Sequence, residues 1–282
     1  MCKEWERPAD SAAADELKGD ACTERACACV DCADTEQISP RDDETLEELG
    51  RGNLRILQKQ RGFRFGTDSI LLADFACGRG ARRVGDFGTG SCILPLLMSD
   101  NAPRAAFDAW EIQPGIADMA ARCVRLNGLE SRICVRQGDA RLAARDVGLG
   151  ALDMVVCNPP YYRKGAGAAS EDESMRIAKH GEPGLVGELV GAAGRVLRCG
   201  GKLCMVYPAE GAADLICMLR ASDMEAKRLR FVHADAEHAP SLMLIEGMKG
   251  AKPGLRIMPP LLLRGADGEP SAEFRRIYRL DE

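Results

Sequence analysis

The chain has 282 residues, of which 46% are hydrophobic and 29% are charged, so it is long enough for one large α/β domain with a buried core. The first fifty residues hold 5 Lys and Arg against 15 Asp and Glu; because the whole chain carries −5, residues 51–282 carry +5. That mildly basic part suits contact with a phosphate backbone. No run approaches the ~18 apolar residues of a membrane span and no signal peptide is visible, so the sequence predicts a cytoplasmic protein.

Residues 1–43 form an acidic extension that is poor in large apolar groups, and the sequence predicts that it is disordered. It contains five cysteines: Cys2, Cys22, Cys27, Cys29 and Cys32. The spacing of the last four is compatible with a metal site, but zinc sites with four thiolates usually draw two pairs of ligands from separate loops. A flexible extension is therefore the preferred interpretation. The other eight cysteines are scattered through apolar segments and are expected to be free thiols in a reducing compartment.

The first predicted element after residue 51 is a helix over 68–75, with Thr67 as its N-cap. Strands then alternate with helices. The strands are near 83–87, 106–111, 132–136, 152–157 and 202–207, and the helices near 91–99, 113–127, 184–198 and 210–221. Two further β runs, 225–232 and 241–246, follow each other without a helix and predict an antiparallel hairpin. The fold class is therefore α/β, with a doubly wound, mostly parallel sheet covered on both faces.

A glycine-rich turn follows the first of these strands. Gly88 and Gly90 permit a tight strand-to-helix connection in which the backbone approaches a ligand. Glu111 lies 21 residues beyond Gly90 at the end of the next strand, where a carboxylate can accept both hydroxyls of a ribose. Dinucleotide enzymes use the same carboxylate, but here Ile93 replaces the third glycine and no phosphate-binding Lys-Ser/Thr follows. The pattern favours a nucleoside without phosphates.

Asp139 follows the third strand of the series, in the sequence Gln-Gly-Asp-Ala. Its carboxylate can accept a hydrogen bond from the amino group of an adenine. A helix N-cap is an equally good interpretation of an Asp at this place. The sequence leaves the two open.

The segment Asn158, Pro159, Pro160 and Tyr161 follows the apolar strand at 152–157 and contains the four candidate catalytic residues. The Asn158 side-chain oxygen and the backbone carbonyl beside it can both accept from an NH2 group, which localises the nitrogen lone pair. The two prolines stiffen the turn, and Tyr161 offers a flat face for a purine or an amide. The alternative is a strand-ending turn with an aromatic lid.

Four of these candidates come at the ends of predicted parallel strands: Gly88, Glu111, Asp139 and Asn158. Ligands of open α/β sheets bind beyond the carboxyl ends of the strands, near the switch in strand order. We therefore expect all four to line one crevice.

In this order, the motifs resemble those of S-adenosylmethionine-dependent amino-methyltransferases. From about residue 44 to 282 the chain resembles the bacterial tRNA N6-adenine methyltransferase family that modifies the adenine beside the anticodon of a valine tRNA, especially its Gram-positive branch. The shared stretches are 63–73, 86–90, 111–113, 157–162, 177–180, 230–233, 244–247, 252–255 and 259–261. The resemblance implies a Rossmann-like methyltransferase domain over 44–282, with seven strands of which the last is reversed. It also implies S-adenosyl-L-methionine as cofactor and tRNA as substrate, without a metal or an obligate protein partner.

The resemblance widens the set of cofactor contacts. The implied set is Thr67, Asp86, Gly88, Thr89, Gly90, Glu111, Ile112, Asp139 and Asn158. The chain departs from the family at Cys92, where relatives usually have a further glycine, and at Lys179-His180-Gly181, where relatives have Arg-His-Glu. The second departure leaves the role of His180 open.

Two other functions use parts of the same pattern. A protein glutamine methyltransferase acting on a release factor uses the same tetrapeptide on an amide NH2, and a non-enzymatic RNA-binding or scaffold protein can retain the fold.

The Gly- and Ala-rich stretch 163–174 is interpreted as either a mobile substrate lid or a surface connector. Basic residues expected to contact tRNA phosphates by charge and shape are Arg51, Arg55, Lys59, Arg61, Arg64, Arg79, Arg82, Arg83, Lys227, Arg228 and Arg230. A solvated strand face is the alternative for the last three.

Overall fold

The computed structural model describes residues 38–50, 52–61, 64–77, 80–160 and 184–281. The cysteines of the extension, Tyr161, the stretch 163–174 and His180 lie outside the described residues. Predictions made for them remain predictions.

The strands and helices alternate along the chain, as the sequence predicts. The strands are β1 Glu44–Glu48, β2 Arg55–Lys59, β3 Arg83–Phe87, β4 Ala106–Glu111, β5 Ile133–Gln137, β6 Leu152–Cys157, β7 Leu197–Pro208, β8 Met224–His233, β9 Leu242–Lys249, β10 Arg256–Ile257 and β11 Leu261–Leu262. The helices are α1 Thr67–Ala76, α2 Ile93–Asn101, α3 Pro114–Leu126, α4 Ala143–Val147, α5 Leu185–Val196, α6 Ala212–Ala221 and α7 Ala272–Tyr278.

The large sheet has the strand order β10-β8-β9-β7-β6-β3-β4-β5, with β11 also paired to β8. Strands β3 to β7 run parallel, and β9 is antiparallel to both β7 and β8. This confirms the doubly wound α/β prediction with its reversed last strand. Two two-residue strands, β10 and β11, extend the seven predicted strands beyond β8. The order switches between β3 and β6, because the chain first builds outward to β5 and then returns.

Apolar side chains cover both faces of this sheet, as parallel strands require. One buried cluster joins α1, α2, α3 and β2 to the sheet, with Leu57, Leu72 and Leu96 at its centre. The other cluster packs α4, α5 and α6 against the opposite face, through residues such as Val190 and Leu219. The two layers hold the strand ends in fixed positions. No helix within the described ranges has the length and apolar character needed to cross a membrane.

An antiparallel hairpin of β1 and β2 precedes the sheet, and it was not predicted from the sequence. Strand β2 buries the consecutive residues Ile56, Leu57 and Gln58, and the hairpin packs on α3 through this strand. The two terminal nitrogens of the Arg122 guanidinium donate to the Glu44 carboxylate, at 2.8 and 2.5 Å. Asn127 contacts the backbone of Arg55 through its side-chain oxygen and nitrogen, at 2.8 and 2.7 Å. The hairpin is therefore part of the domain.

The start of α1 differs from the prediction. Helix α1 begins at Thr67, and Gly66 occupies the N-cap position in an extended conformation without a side-chain cap. The prediction that Thr67 is the N-cap is therefore wrong: the residue lies within the first turn. Helix α2 begins at Ile93, two residues later than predicted, because Cys92 has φ +70° and belongs to the preceding turn.

Candidate functional site

The turn between β3 and α2 is built from left-handed residues. Gly88 has φ +78° and Gly90 φ +57°, values that favour glycine. The N–H groups of Gly88 and Thr89 both donate to the carbonyl of Trp110 on β4, at 3.0 and 2.9 Å. A Cβ at Gly88 would meet no atom within 4 Å, so the turn faces open space that a ligand can occupy. The strand-to-helix turn expected from the sequence is present.

Glu111 ends β4 beside this turn, and its side chain is only 6% exposed. Its Oε2 accepts the N–H of Gly90 at 3.0 Å, and its Oε1 accepts the N–H of Gln113 at 2.9 Å. Burial raises the pKa of Glu111, although these backbone hydrogen bonds oppose the rise. Each oxygen retains a second lone pair for a hydroxyl. The carboxylate thus braces the turn as well, a role that the sequence analysis missed.

Asp86 lies fully buried at the end of β3, beneath the turn. Within the described residues, neither of its oxygens has a hydrogen-bond partner, and neither has the hydroxyl of Thr89. Burial raises the pKa of Asp86 to about 7; the nearby Thr89 hydroxyl opposes the rise without reaching hydrogen-bond geometry, and the charge of Glu111 adds to it. Oxygens of Asp86 that lack a partner among the described residues and the remaining lone pairs of Glu111 are acceptors beside an open turn. These residues therefore fit the ribose hydroxyls of S-adenosylmethionine.

Ile112 and Thr67 are two further predicted cofactor contacts that the structure describes. The Ile112 side chain directly follows Glu111 and is 53% exposed, which leaves an apolar surface for an aromatic ring. Thr67 is half-buried at the first residue of α1. Nothing in their contacts assigns either residue to a particular part of a ligand, so both remain predicted cofactor contacts.

Asp139 caps the short 3₁₀ turn that follows β5, so the N-cap interpretation is observed. Its Oδ1 accepts the N–H of Arg141 at 2.9 Å, and the Arg141 guanidinium contacts both oxygens, at 2.7 to 3.0 Å. The hydrogen bond from Arg141 lowers the pKa of Asp139. Arg141 also donates to Glu188 at 2.6 Å. The adenine role of Asp139 stays a prediction, and an adenine amino group would share the carboxylate with Arg141.

Asn158 follows β6 and is half-buried, while Pro159 is buried and Pro160 half-buried. The Asn158 Nδ2 donates to the hydroxyl of Ser69 in the first turn of α1, at 3.0 Å. Its Oδ1 accepts no hydrogen bond from any residue that the structure describes. Among the described residues, the amide therefore has its nitrogen engaged and its oxygen without a partner. Ser69 lies in a stretch that the sequence analysis quoted, but no role was assigned to it.

Strand register brings these residues together. Phe87 pairs with Trp110 on one side and with Cys157 on the other, so Gly88, Glu111 and Asn158 each lie one residue beyond a paired position. Neighbouring strands are separated by roughly 4.8 Å. The glycine turn and the Asn-Pro-Pro segment thus share one crevice at the switch between β3 and β6. Asp139 lies two residues beyond Gln137, the partner of Glu111 on β5, and reaches the same edge.

The candidate tRNA contacts that the structure describes fall into two groups, while Arg51 and Arg79 lie outside the described residues. Arg228 donates to Glu246 and to the carbonyl of Phe75 at 2.8 and 3.1 Å and lies over the Phe75 ring, and Arg230 pairs with Glu273 at 2.6 Å. Each of these two side chains is only 12% exposed, so they do not form a solvated strand face, and their charges are already paired within the fold. Lys227 donates to a carbonyl, and Lys59, Arg64 and Arg83 form ion pairs. Arg61 and Arg82 are exposed and pair with no carboxylate in the described part of the chain.

Comparisons with known proteins agree on one family. The family model described as "Methyltransferase small domain" matches residues 64–220. A protein of Tolumonas auensis named tRNA1(Val) (adenine(37)-N6)-methyltransferase is 30% identical over 220 residues, covering 78% of this chain and 90% of the relative. A protein of the same name from Porphyromonas gingivalis strain W83 is 27% identical over 227 residues, covering 76% and 86%.

Solved structures match in fold. Protein Atu636 from Agrobacterium tumefaciens, described as a predicted O-methyltransferase, has a TM-score of 0.61 at 20% identity and covers 76% of this chain and 96% of its own. Pyrococcus horikoshii TYW2 in complex with MeSAdo has a TM-score of 0.51 at 14% identity, covering 75% and 73%. At these identities the likeness extends to the Rossmann-like methyltransferase fold alone.

Proposed function

The chain belongs to the tRNA1(Val) (adenine(37)-N6)-methyltransferase family, which carries the methyltransferase small domain, and on that premise we propose that it transfers a methyl group from S-adenosylmethionine to the N6 amino group of an adenine in tRNA. The target that the relatives' name suggests is adenine 37 of a valine tRNA. The observation that carries the proposal is the Asn158 amide beside the glycine turn: its nitrogen is held by Ser69, and its oxygen has no partner among the described residues.

In this proposal, different residues of the crevice bind the cofactor and the target adenine. S-adenosylmethionine supplies an electrophilic methyl group when bound. Glu111 would accept its ribose hydroxyls, and the open turn at Gly88 would admit it closely. The target adenine must leave its base stack to reach this depth. Its amino group would then donate to Asn158 Oδ1 and to the carbonyl of Pro159, which concentrates electron density on the nitrogen.

Orientation and charge placement account for the catalysis in this proposal. The buried Pro159 fixes the backbone beside Asn158, so both acceptors are in place before the substrate arrives. Holding reactants in such a geometry is worth of order 10 kcal/mol of barrier. Tyr161, predicted to stack on the base, directly follows the last described residue of this segment.

The test uses purified protein, S-adenosylmethionine and bulk tRNA from cells that lack the gene. Nucleoside mass spectrometry should find new N6-methyladenosine in the valine tRNA. Asn158→Ala should abolish turnover while the dissociation constant for S-adenosylmethionine, measured by calorimetry, stays within a few fold. Methylation of a release-factor peptide with no change in tRNA would replace this proposal with the glutamine reaction, and loss of cofactor binding in Asn158→Ala would overturn the role of that residue.

The proposal also covers the bounds of the domain, the branch of the family and the location of the protein in the cell. Residues 1–43 are an extension and 44–282 the methyltransferase domain, although Ile38 packs on the core and Arg41 pairs with Asp118, which favours a start a few residues earlier. Membership of the Gram-positive branch rests on the shared sequence stretches. A cytoplasmic location suits a tRNA substrate and the eight free thiols of the described residues.

A further inference from the structure

The contact between Ser69 and Asn158 joins two segments that are 89 residues apart in the chain. Ser69 is 2% exposed and lies in the first turn of α1, where its own N–H donates to the carbonyl of Gly66 at 3.2 Å. Its hydroxyl is 3.0 Å from Asn158 Nδ2. A buried serine hydroxyl directed at the amide of the candidate catalytic residue is therefore part of the environment of that amide.

The orientation of this amide decides whether it can act on an amine. An amide presents oxygen on one side of its plane and nitrogen on the other, and rotation by half a turn exchanges them. With the oxygen toward the substrate, the target NH2 group finds an acceptor. With the nitrogen toward the substrate, two donors face each other and the lone pair of the target is not localised. A group that engages Nδ2 on the far side selects the productive orientation.

Helix α1 holds that group in place. Leu71 and Leu72, which follow in the same helix, are buried in the core, at 1% and 0% exposure. At the other end of the helix, Arg228 donates to the carbonyl of Phe75 and stacks on its ring, 4.1 Å from the ring centroid. Contacts in the middle of the helix and near its C-terminal end thus fix it against the sheet that carries Asn158, and the hydroxyl has little freedom to move away from Nδ2.

We propose that Ser69 is a positioning residue for the methyl transfer: its hydroxyl oxygen accepts the Nδ2 hydrogen bond of Asn158 and so keeps Asn158 Oδ1 directed at the amine that is methylated. The inference rests on the proposed function for its catalytic part. Ser69 acts through Asn158 and need not touch the substrate.

The kinetic test compares Ser69→Ala with Ser99→Ala. Ser99 is a matched control because it is also buried, at 4% exposure, and its hydroxyl donates to the carbonyl of Leu96 within α2, at 2.8 Å. Loss of one neutral hydrogen bond corresponds to a change of about threefold to about tenfold. We expect Ser69→Ala to lower kcat by that factor at saturating tRNA, with the KM for S-adenosylmethionine within about twofold. Ser99→Ala should leave kcat unchanged. An unchanged kcat in Ser69→Ala overturns the proposal.

A second readout needs neither substrate nor activity. The side-chain NH2 signal of Asn158 can be assigned by NMR as the one lost in Asn158→Ala. In the wild type one of its protons should exchange slowly with solvent, and Ser69→Ala should remove that protection. Rapid exchange of both amide protons in the wild type overturns the proposal. This measurement uses the wild type alone, so it decides the question even if Ser69→Ala does not fold. If the wild type does not methylate tRNA, the proposed function fails, while this measurement still decides whether Ser69 holds the amide.

Discussion

The ion pair between Glu44 and Arg122 provides the sharpest prediction about stability. Burial alone would raise the pKa of Glu44, but hydrogen bonds from Arg122 and from the N–H of Arg41, with the charges of Arg122 and Lys59, lower it from 4.5 to about 2. The Glu44 side chain is inaccessible to solvent, so bulk water screens the pair little. We predict that Glu44→Gln destabilises the domain, because among the described residues it leaves Asp118 as the remaining charged partner of the Arg122 guanidinium.

The magnitude follows from the shift in pKa. A depression of about 2.5 pKa units corresponds to about 3 kcal/mol at neutral pH, near the lower end of the roughly 3–5 kcal/mol for removing one partner of a buried pair. A carboxylate whose folded pKa is depressed stabilises the fold above its unfolded pKa and loses that contribution as pH falls through the folded value. The difference between wild type and Glu44→Gln should therefore be full above about pH 5 and shrink between pH 4.5 and 2.

Urea unfolding followed by circular dichroism at a series of pH values measures this difference. Asp43→Asn is the matched control: Asp43 pairs with Lys59 at 2.6 Å, but its side chain is 67% exposed. An exposed pair contributes about 0–1 kcal/mol, so the control should change little. A loss in Glu44→Gln below about 1 kcal/mol, or one that is the same at pH 3 and pH 7, would refute the argument from burial.

Two further predictions concern the crevice. Gly85→Ala should destabilise the domain by roughly 1–3 kcal/mol in urea unfolding, because its Cβ would lie 2.8 Å from the Leu152 side chain. Gly88→Ala, where the Cβ meets no atom within 4 Å, should cost roughly 1–2 kcal/mol through its left-handed backbone alone, and an unchanged stability in either variant would contradict the corresponding cause. Arg141→Ala should tighten S-adenosylmethionine binding in calorimetry, because it frees the carboxylate of Asp139, and an unchanged dissociation constant would argue against an adenine contact at Asp139.

The sequence predicted the sheet and its functional edge because both depend on local patterns. The strand at 152–157 is a short apolar run, and a polar or glycine residue stands at or directly after the end of each parallel strand from β3 to β6. The hairpin β1–β2 could not be found in this way. Its first strand reads Glu-Thr-Leu-Glu-Glu, and the buried charge of Glu44 becomes intelligible only when Arg122 on α3 is brought to it. Because Glu44 and Arg122 are 78 positions apart, no sequence pattern near either residue indicates their ion pair.

The same limit applies within the site. Asn158 was identified from its neighbours in sequence, but the orientation of its amide depends on Ser69, which is remote in the chain. Thr67 was expected to cap α1 because Thr is a common cap, whereas the observed cap is the extended Gly66. For Asp139, the structure shows Arg141 on the carboxylate that the sequence offered to an adenine. In each case the residue type was informative, and the competing partner was supplied by the fold.

The two halves of the crevice are held by different contacts, which separates their functions. The turn that we propose for the cofactor is held by Glu111 through the N–H of Gly90, whereas the proposed acceptor for the amine is held by Ser69 from α1. Register between β3 and β6 is the direct link between them, and it is buried in the core. Changes at Ser69 should therefore alter the rate of methyl transfer with little effect on cofactor affinity, while changes at Glu111 should alter the affinity first. A preorganised site of this kind places its two ligands independently and leaves the sheet to set the distance between them.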